Sequence, residues 1–188
     1  GKAALAGFAD VPGTRIIVFY PKGGVSRIQE LQMVTQKGEN TSVVAIHGNF
    51  DHAQSGVKAI FEDKKLAEEL ADAGYQFSSA NSINIGRLVP QIVYYVKAYA
   101  DLLKQGALKA GEPMNVVVPT GNFGNILASY YAKQMGIPIN KFVCASNKNK
   151  VLFDFFETGK YDRNREFYVT TSPSMDILIS SNLERMIY

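Results

Sequence analysis

The stretch from residue 115 to residue 145 constrains the fold most, because it predicts a strand, a glycine loop, a helix and a second strand. The first strand covers Asn115 to Pro119, and a helix is expected from about Asn125 to Met135. Gly136 and Pro138 would end that helix before a strand from Lys141 to Ala145. Two strands joined through one helix run parallel in a sheet, so this order predicts an α/β fold.

The same alternation precedes this stretch. The β-branched and aromatic runs Arg15 to Tyr20 and Thr41 to Ile46 predict two strands. The helix expected between them has a capping-box pair, Ser26 and Gln29. After the second strand, the carboxylate of Asp51 is placed to cap a further helix, and a short helix should end near Gly74.

A second unit is predicted to open with FSSANSINIGR, as a strand-like start followed by polar residues. A long helix marked by Leu88 and Leu103 would follow, and Pro90 must lie in its first turn or kink it. We therefore predict two units, residues 1 to 78 and residues 79 to 188.

Composition narrows the function classes. The chain has 188 residues and is 46% hydrophobic, which is enough for a sizeable core, and its basic residues are scattered, which argues against a nucleic-acid partner. Its one cysteine, Cys144, excludes an internal disulfide and a cysteine-clustered zinc site. Neither His47 nor His52 has a second histidine or cysteine at metal-ligand spacing, so no metal site is expected. The longest apolar runs fall short of the roughly 20 residues of a membrane span, so we expect a cytoplasmic protein that does not bind membranes.

The glycine loop has two explanations at this stage. Gly121 and Gly124 allow close approach to the backbone, Asn122 and Asn125 carry amide donors, and a helix N-terminus after a strand attracts anions. A phosphate would fit there. The loop lacks both the Gly-Lys-Ser/Thr ending of nucleoside-triphosphate loops and the three-glycine dinucleotide fingerprint. A tight structural turn explains the glycines equally well.

Four longer segments resemble threonine synthase, a pyridoxal-phosphate enzyme of the tryptophan-synthase-β group known as fold type II. They are GFADVPGTRIIVFYPKGGVSRIQELQMV, NSINIGRLVPQ, PTGNFGNILASYYAKQMG and YDRNREFYVTTSPSMDILISSNLER. The resemblance implies an incomplete three-layer αβα fold, in which residues 1–78 form most of the small domain and 79–188 part of the large cofactor domain. It also implies conversion of O-phospho-L-homoserine and water into L-threonine and phosphate.

The resemblance assigns roles residue by residue. It places the phosphate of pyridoxal phosphate on one loop, formed by Gly121, Asn122, Phe123, Gly124 and Asn125 with Thr120 beside it. It places the substrate phosphate on Asn81, Ser82 and Arg87, where a guanidinium gives paired donors to a phosphate. The alternative for these three is structural: Asn81 and Ser82 cap the next helix and Arg87 lies in solvent.

The family's Schiff-base lysine lies in a Phe-Lys-Asp motif upstream of a Ser-Gly-Asp-Thr-Gly loop, and Gly1 matches the last glycine of that loop. No lysine of this chain lies in a comparable motif, so we expect a central fragment that is inactive alone. Two alternatives stay open: another fold type II enzyme, such as a dehydratase or a synthase, and a non-catalytic protein that binds phosphorylated ligands. Exposed sheet edges would also favour a homodimer.

Overall fold

The computed structural model describes residues 2–81 and 84–187. The chain divides into two compact units. Unit 1 extends up to Phe77 and includes Thr171–Ser174, and unit 2 comprises Ser78–Thr170 and Met175–Tyr188.

Unit 1 is built on a parallel pair of strands, β1 (Ile16–Pro21) and β2 (Thr41–Ile46). Their register pairs Ile16 with Thr41 and Pro21 with Ile46. The helices of this unit are α1 (Lys2–Phe8), α2 (Arg27–Val34), α3 (Phe50–Glu62) and α4 (Lys64–Asp72). Leu5, Tyr20 and Met33 form its buried core.

The ends of the unit 1 helices follow from local hydrogen bonds. At α2 the predicted capping box is confirmed, because Ser26 Oγ accepts the Gln29 N–H at 3.3 Å and Gln29 Oε1 accepts the Ser26 N–H at 3.1 Å. At α3 the predicted cap was wrong: Asn49 caps the helix, and Asp51 lies inside its first turn. Asn49 Oδ1 accepts the His52 N–H at 2.9 Å, so the helix begins earlier than the carboxylate suggested.

Unit 2 contains a second parallel pair, β3 (Met114–Pro119) and β4 (Ile139–Ala145), joined through α7 (Gly124–Gln134). Its other helices are α5 (Ile85–Leu88), α6 (Ile92–Lys104), α8 (Val151–Thr158) and α9 (Glu184–Ile187), with a 3-10 turn at Val89–Gln91. A further 3-10 turn, Pro173–Met175, has its first two residues in unit 1 and its last in unit 2. Along β3, Met114, Val116 and Val118 are buried while the residues between them face outwards. The predicted order of strand, loop, helix and strand is confirmed, and with it the α/β class.

The start of unit 2 differs from the prediction in two ways. Residues 77–80, the expected strand-like start, form no strand, because they have no ladder partner among the residues that the structure describes. The predicted long helix is divided at Pro90, which lies in the 3-10 turn between α5 and α6. Proline has no N–H to donate in an α-helical hydrogen bond, so the helix is interrupted at Pro90.

The core of unit 2 surrounds α7. Leu127, Ala128 and Ala132 are fully buried on this helix, and Leu88 of α5 and Val151 of α8 pack in the same cluster. Packing on several sides fixes the position of α7 and of the loop that precedes it. Within the described ranges, no helix has the length and apolar character needed to cross a membrane.

Candidate functional site

The loop between β3 and α7 leaves the carboxyl end of a parallel strand. Thr120 extends the strand pairing, since its N–H donates to the carbonyl of Ala145 at 3.1 Å, and its side chain is buried. The next residues, Gly121 to Phe123, cross from the strand to the helix. This is the position at which parallel sheets bind ligands, because loop amides and a helix N-terminus meet there.

The start of α7 has no side-chain cap. Phe123 is the N-cap residue, its backbone is left-handed with φ 63°, and it makes no capping hydrogen bond. A phenyl ring has no oxygen to accept an amide, so the first N–H groups of α7 depend on another acceptor. An anion at this end would also interact favourably with the helix dipole.

Gly121 is the narrow point of the loop. A Cβ built at this residue would lie 3.0 Å from Ile177 Cδ1 and 3.4 Å from Met175 Cα. Residues 175–177 therefore pack directly against the loop. A side chain at this position would displace them or push the loop away from its place.

Asn122 is held by a distant segment. Its Oδ1 accepts from the Ser181 N–H at 2.8 Å and from Ser181 Oγ at 2.7 Å. Its main-chain carbonyl accepts from Asn182 Nδ2 at 3.0 Å and from the Asn182 N–H at 3.3 Å. The oxygen atoms of Asn122 thus fix the loop rather than face a ligand.

Asn125, in the first turn of α7, is also engaged by the protein. Its Nδ2 donates to Gln91 Oε1 at 2.9 Å, and its Oδ1 accepts from the hydroxyl of Tyr95. Burial raises the pKa of Tyr95 to about 12, so the hydroxyl stays protonated and remains a donor at neutral pH. With the side chain of Asn125 occupied in this way, the main-chain N–H groups are the loop's principal donors to an anion.

The predicted substrate residues lie at or before α5. Arg87 is in the last turn of this helix with an exposed side chain, and its neighbour Leu88 is fully buried in the core that contains Phe123. In the described part of the chain its guanidinium has no carboxylate partner. Asn81 is exposed and its carbonyl accepts the Asn84 N–H at 3.1 Å, while Ser82 lies outside the described residues.

The cap of α5 is Asn84, a residue that neither sequence-based explanation named. Asn84 Oδ1 accepts the Gly86 N–H at 2.9 Å, and its Nδ2 donates to the Ser79 carbonyl at 3.0 Å. Asn84 thus provides the side-chain cap of α5 that the structural explanation assigned to Asn81 and Ser82.

Sequence reasoning missed the residues that support the loop. Ser181, Asn182, Tyr95 and Gln91 contact its two asparagines from positions 30 to 60 residues away along the chain. The segment SSNLER was recognisable as a family motif, but without any indication of its contacts. A long-range hydrogen bond leaves no periodicity in the sequence that could predict it.

Residues 175–182, which pack on the loop, are held in turn by a buried carboxylate. Asp176 is 3% exposed and accepts from Asn147 Nδ2 at 2.7 Å and from Asn149 Nδ2 at 3.0 Å. It also accepts from the Thr170 N–H and hydroxyl, both at 2.8 Å. Four donors around one carboxylate make this a well-satisfied buried anion.

A separate apolar cavity of about 450 Å³ lies in unit 2. Its walls include Phe123, Ile126, Phe142, Phe153 and Phe156. These five side chains are apolar and the cavity is also lined by the carboxylate of Glu157, so it suits an anion less well than the amide side of the loop does.

Metal binding has no support among residues 2–81 and 84–187, where no group of three or more histidine, cysteine or acidic side chains is arranged to hold an ion. His52 has a local role, since its Nδ1 accepts the Asn49 N–H at 3.3 Å. Burial raises the pKa of the Cys144 thiol, which disfavours the reactive thiolate.

Comparison with known proteins gives a consistent result, although no protein-family model matches the chain. Threonine synthase-like 1 of Homo sapiens is 49% identical over 195 residues, covering 100% of this chain and 26% of that protein. The crystal structure of threonine synthase from Escherichia coli superposes with a TM-score of 0.87 at 35% identity, covering 99% of this chain and 41% of that one. The PLP-bound threonine synthase from Brucella melitensis gives a TM-score of 0.79 at 41% identity, covering 99% of this chain and 38% of that one.

These matches confirm the resemblance and the fold class inferred from the sequence. The expectation that the family uses pyridoxal phosphate is confirmed as well. The chain spans between about a quarter and two fifths of the proteins that it matches. The assignment of the two units to a small and a cofactor domain, and the roles of the individual site residues, stay predictions.

Proposed function

We propose that this chain, a homologue of one segment of the threonine synthases, forms the phosphate-binding part of a pyridoxal-phosphate-dependent lyase. The observation that carries the proposal is the start of α7. An N-cap with no acceptor of its own follows a parallel strand, and the glycines beside it are buried. That arrangement suits a phosphate, because main-chain amides and the helix dipole supply its binding.

The cofactor phosphate is assigned to the loop of Gly121, Asn122, Phe123, Gly124 and Asn125. Main-chain N–H groups would hold it, while the side chains of Asn122 and Asn125 keep the loop in shape through their contacts with Ser181 and Tyr95. The buried Thr120 continues the strand up to the loop. The residues present therefore fit the phosphate end of the cofactor.

The substrate phosphate is assigned to Asn81, Ser82 and Arg87. The exposed guanidinium of Arg87 is not consumed by a carboxylate of the described chain, so it can form two parallel hydrogen bonds to a phosphate. Asn81 is proposed to complete the phosphate shell together with Ser82.

The proposed reaction converts O-phospho-L-homoserine and water into L-threonine and phosphate. When bound, pyridoxal phosphate supplies an electron sink for proton removal next to the amino group. The residues of this chain bind and orient: the loop fixes the cofactor phosphate, and Arg87 stabilises charge on the departing substrate phosphate. No proton-transferring lysine is assigned within this chain, and the isolated 188 residues are proposed to be inactive.

A second candidate function is a non-catalytic protein that binds phosphorylated ligands. The observation behind it is the identity of 49% to threonine synthase-like 1 of Homo sapiens, against 35% and 41% to the two solved synthases. Both candidates need the same loop, and they differ in turnover. A cytoplasmic homodimer is part of the proposal in either case, on the support of a single free cysteine and short sheets with open edges.

The test uses the complete gene product that contains these residues. We expect it to bind pyridoxal phosphate more tightly than pyridoxal, and to release phosphate from O-phospho-L-homoserine. Arg87→Gln should lower the rate of phosphate release by about 100-fold, the cost of removing one group aimed at developing charge, with little change in cofactor affinity.

Arg163→Gln is the matched control, since Arg163 is an exposed arginine of the same unit. If Arg87→Gln and Arg163→Gln both release phosphate at the wild-type rate, the assignment of Arg87 is wrong. Binding of cofactor and phosphohomoserine without any phosphate release would favour the second candidate.

A further inference from the structure

Asn122, Ser181 and Asn182 form a hydrogen-bonded clamp on the loop. Two donors of Ser181 meet the side-chain oxygen of Asn122, at 2.8 and 2.7 Å. Two donors of Asn182 meet its main-chain oxygen, at 3.0 and 3.3 Å. The partners lie 59 and 60 residues apart in the chain, so the clamp belongs to the tertiary fold and not to a local turn.

The geometry of the peptide unit links the clamp to the proposed phosphate site. The carbonyl of Asn122 and the N–H of Phe123 belong to one planar trans peptide, in which the two bonds point in opposite directions. Fixing the carbonyl through Asn182 therefore fixes the direction of the Phe123 N–H. This amide is the first one of the turn into α7.

The backbone at Phe123 needs such support. A left-handed conformation, here with φ 63°, is uncommon for a large side chain and persists only where neighbouring contacts hold it. Two contacts hold it in place: the ring of Phe123 is buried, and the carbonyl of the preceding residue accepts from Asn182.

Further contacts hold the segment that carries Ser181 and Asn182. Asn182 is fully buried, and its Oδ1 accepts from Nη1 of Arg185, so both ends of its amide are used. Earlier in the same segment, Ile177 packs against Gly121 and Asp176 is held by four donors. The loop thus rests on a pre-formed support.

We infer that Ser181 and Asn182 are positioning residues for the cofactor phosphate, acting through Asn122 on the direction of the Phe123 amide. This inference rests on the proposed function of the loop. The site then has two kinds of residue. The main chain of the loop contacts the phosphate, and Ser181 and Asn182 set the direction in which the Phe123 N–H points.

The experiment measures the dissociation constants of pyridoxal phosphate and of pyridoxal in the complete gene product. Ser181→Ala removes one of the two donors to Asn122 Oδ1 and should weaken pyridoxal phosphate binding by about 2- to 10-fold. Pyridoxal lacks the phosphate, so its dissociation constant should not change. Ser181→Thr keeps the hydroxyl and should restore the wild-type ratio of the two constants.

Asn182→Ala removes a donor to the carbonyl itself and should weaken pyridoxal phosphate binding by about 10-fold, again without an effect on pyridoxal. Asn140→Ala serves as the matched control. Asn140 Nδ2 donates to Asn115 Oδ1 at 3.1 Å, and this hydrogen bond joins β4 to β3 near the amino ends of the two strands. It should leave both constants unchanged.

A double-mutant cycle tests the route. Because Ser181 acts through Asn122, Ser181→Ala should have no further effect on pyridoxal phosphate binding once Asn122→Ala is present. Independent, additive losses would overturn the inference.

The outcomes also separate this inference from the proposed function. If the wild-type protein shows no preference for pyridoxal phosphate over pyridoxal, the proposed function of the loop fails. If the preference is present and Ser181→Ala and Asn182→Ala keep it, the loop assignment stands and the positioning role is wrong. Equal weakening of both ligands would show a general loss of structure, which also contradicts a role specific to the phosphate.

Discussion

Two strand–loop–helix segments of this chain begin their helices in opposite ways. After β2, Asn49 caps α3 with its own side chain, and Nδ1 of His52 accepts a hydrogen bond from the Asn49 N–H. After β3, Phe123 begins α7 in a left-handed conformation with no side-chain cap. Both segments follow a parallel strand, so position in the fold alone does not separate them.

The difference concerns where the amides of the first helical turn find an acceptor. At α3 the chain provides it locally, so that helix end is complete. At α7 the side-chain oxygens of Asn122 and Asn125 accept hydrogen bonds from Ser181 and Tyr95, and we propose that an external phosphate accepts the amides of the first turn. A helix N-terminus is thus a stronger candidate for a phosphate-binding site when no side chain of the helix itself accepts its first amides.

Burial follows the same division. None of the residues of α3 is buried, whereas α7 buries six residues, from Gly124 to Ala132. Tight packing holds the N-terminus of α7 in place before any ligand arrives, and a site pre-organised in this way loses less entropy on binding.

The largest effect should come from giving α7 the cap that α3 has. Phe123→Asn removes a buried ring and supplies an oxygen that can accept the amides of the first turn. We expect a loss of about 3 kcal/mol in the free energy of unfolding for the missing ring, partly offset by about 1 kcal/mol from the new cap. Pyridoxal phosphate should bind at least about 10-fold more weakly, because the cap competes for its donors.

Phe123→Leu is the control for this substitution, because it reduces the ring without adding an acceptor. Urea unfolding and cofactor titration of both variants give the comparison. Equal affinities for pyridoxal phosphate in the two variants would contradict the view that the missing cap matters for the phosphate.

A smaller effect is expected at the second anchor of the loop, Tyr95→Phe. This change leaves Asn125 Oδ1 without its donor and should cost about 1 kcal/mol in the free energy of unfolding at neutral pH. Tyr99→Phe is the matched control on the same helix, since the Tyr99 hydroxyl donates to the Glu112 carbonyl at 3.2 Å, away from the loop. Only Tyr95→Phe should also weaken pyridoxal phosphate binding.

Tyr95 gives this prediction a pH dependence as well. Burial raises its pKa in the folded protein to about 12. An exposed tyrosine has a pKa of about 10, so the folded state keeps the phenol proton more firmly than the unfolded chain does. The contribution to stability is fully present below about pH 10 and is lost as the pH rises towards 12. The stability difference between wild type and Tyr95→Phe should therefore shrink over that interval, and a constant difference would argue against this contact.

The sequence could predict the elements whose causes are local. The order from β3 to β4 follows from periodicity and from the stop at Gly136, and the Ser26–Gln29 capping box follows from a spacing of three residues. Two predictions failed: Asn49 caps α3 ahead of Asp51, and residues 77–80 lack a neighbouring strand among the described residues.

The candidate site was predictable only in part. A glycine loop between a strand and a helix, and the resemblance to threonine synthases, predict which residues belong to it, and the structure shows that the loop does lie between β3 and α7. The sequence could not indicate that Asn122 and Asn125 serve the fold with their side chains, because their partners Ser181, Asn182 and Tyr95 are distant in the chain. Long-range hydrogen bonds between side chains depend on the whole tertiary structure.

The smallest expected effect is the reverse of the first, the removal of the cap from α3. Asn49→Ala takes away the acceptor of the His52 N–H and should cost about 0.5 to 1 kcal/mol in the free energy of unfolding, at the lower end because the cap is exposed. Asn49→Asp retains the acceptor and should restore the stability. Neither variant should change the dissociation constant of pyridoxal phosphate, since the cap of α3 serves only its own helix. A change in that constant with Asn49→Ala would mean that the two helix ends are not functionally distinct, and the contrast between a self-capped and a ligand-capped helix would no longer identify the site.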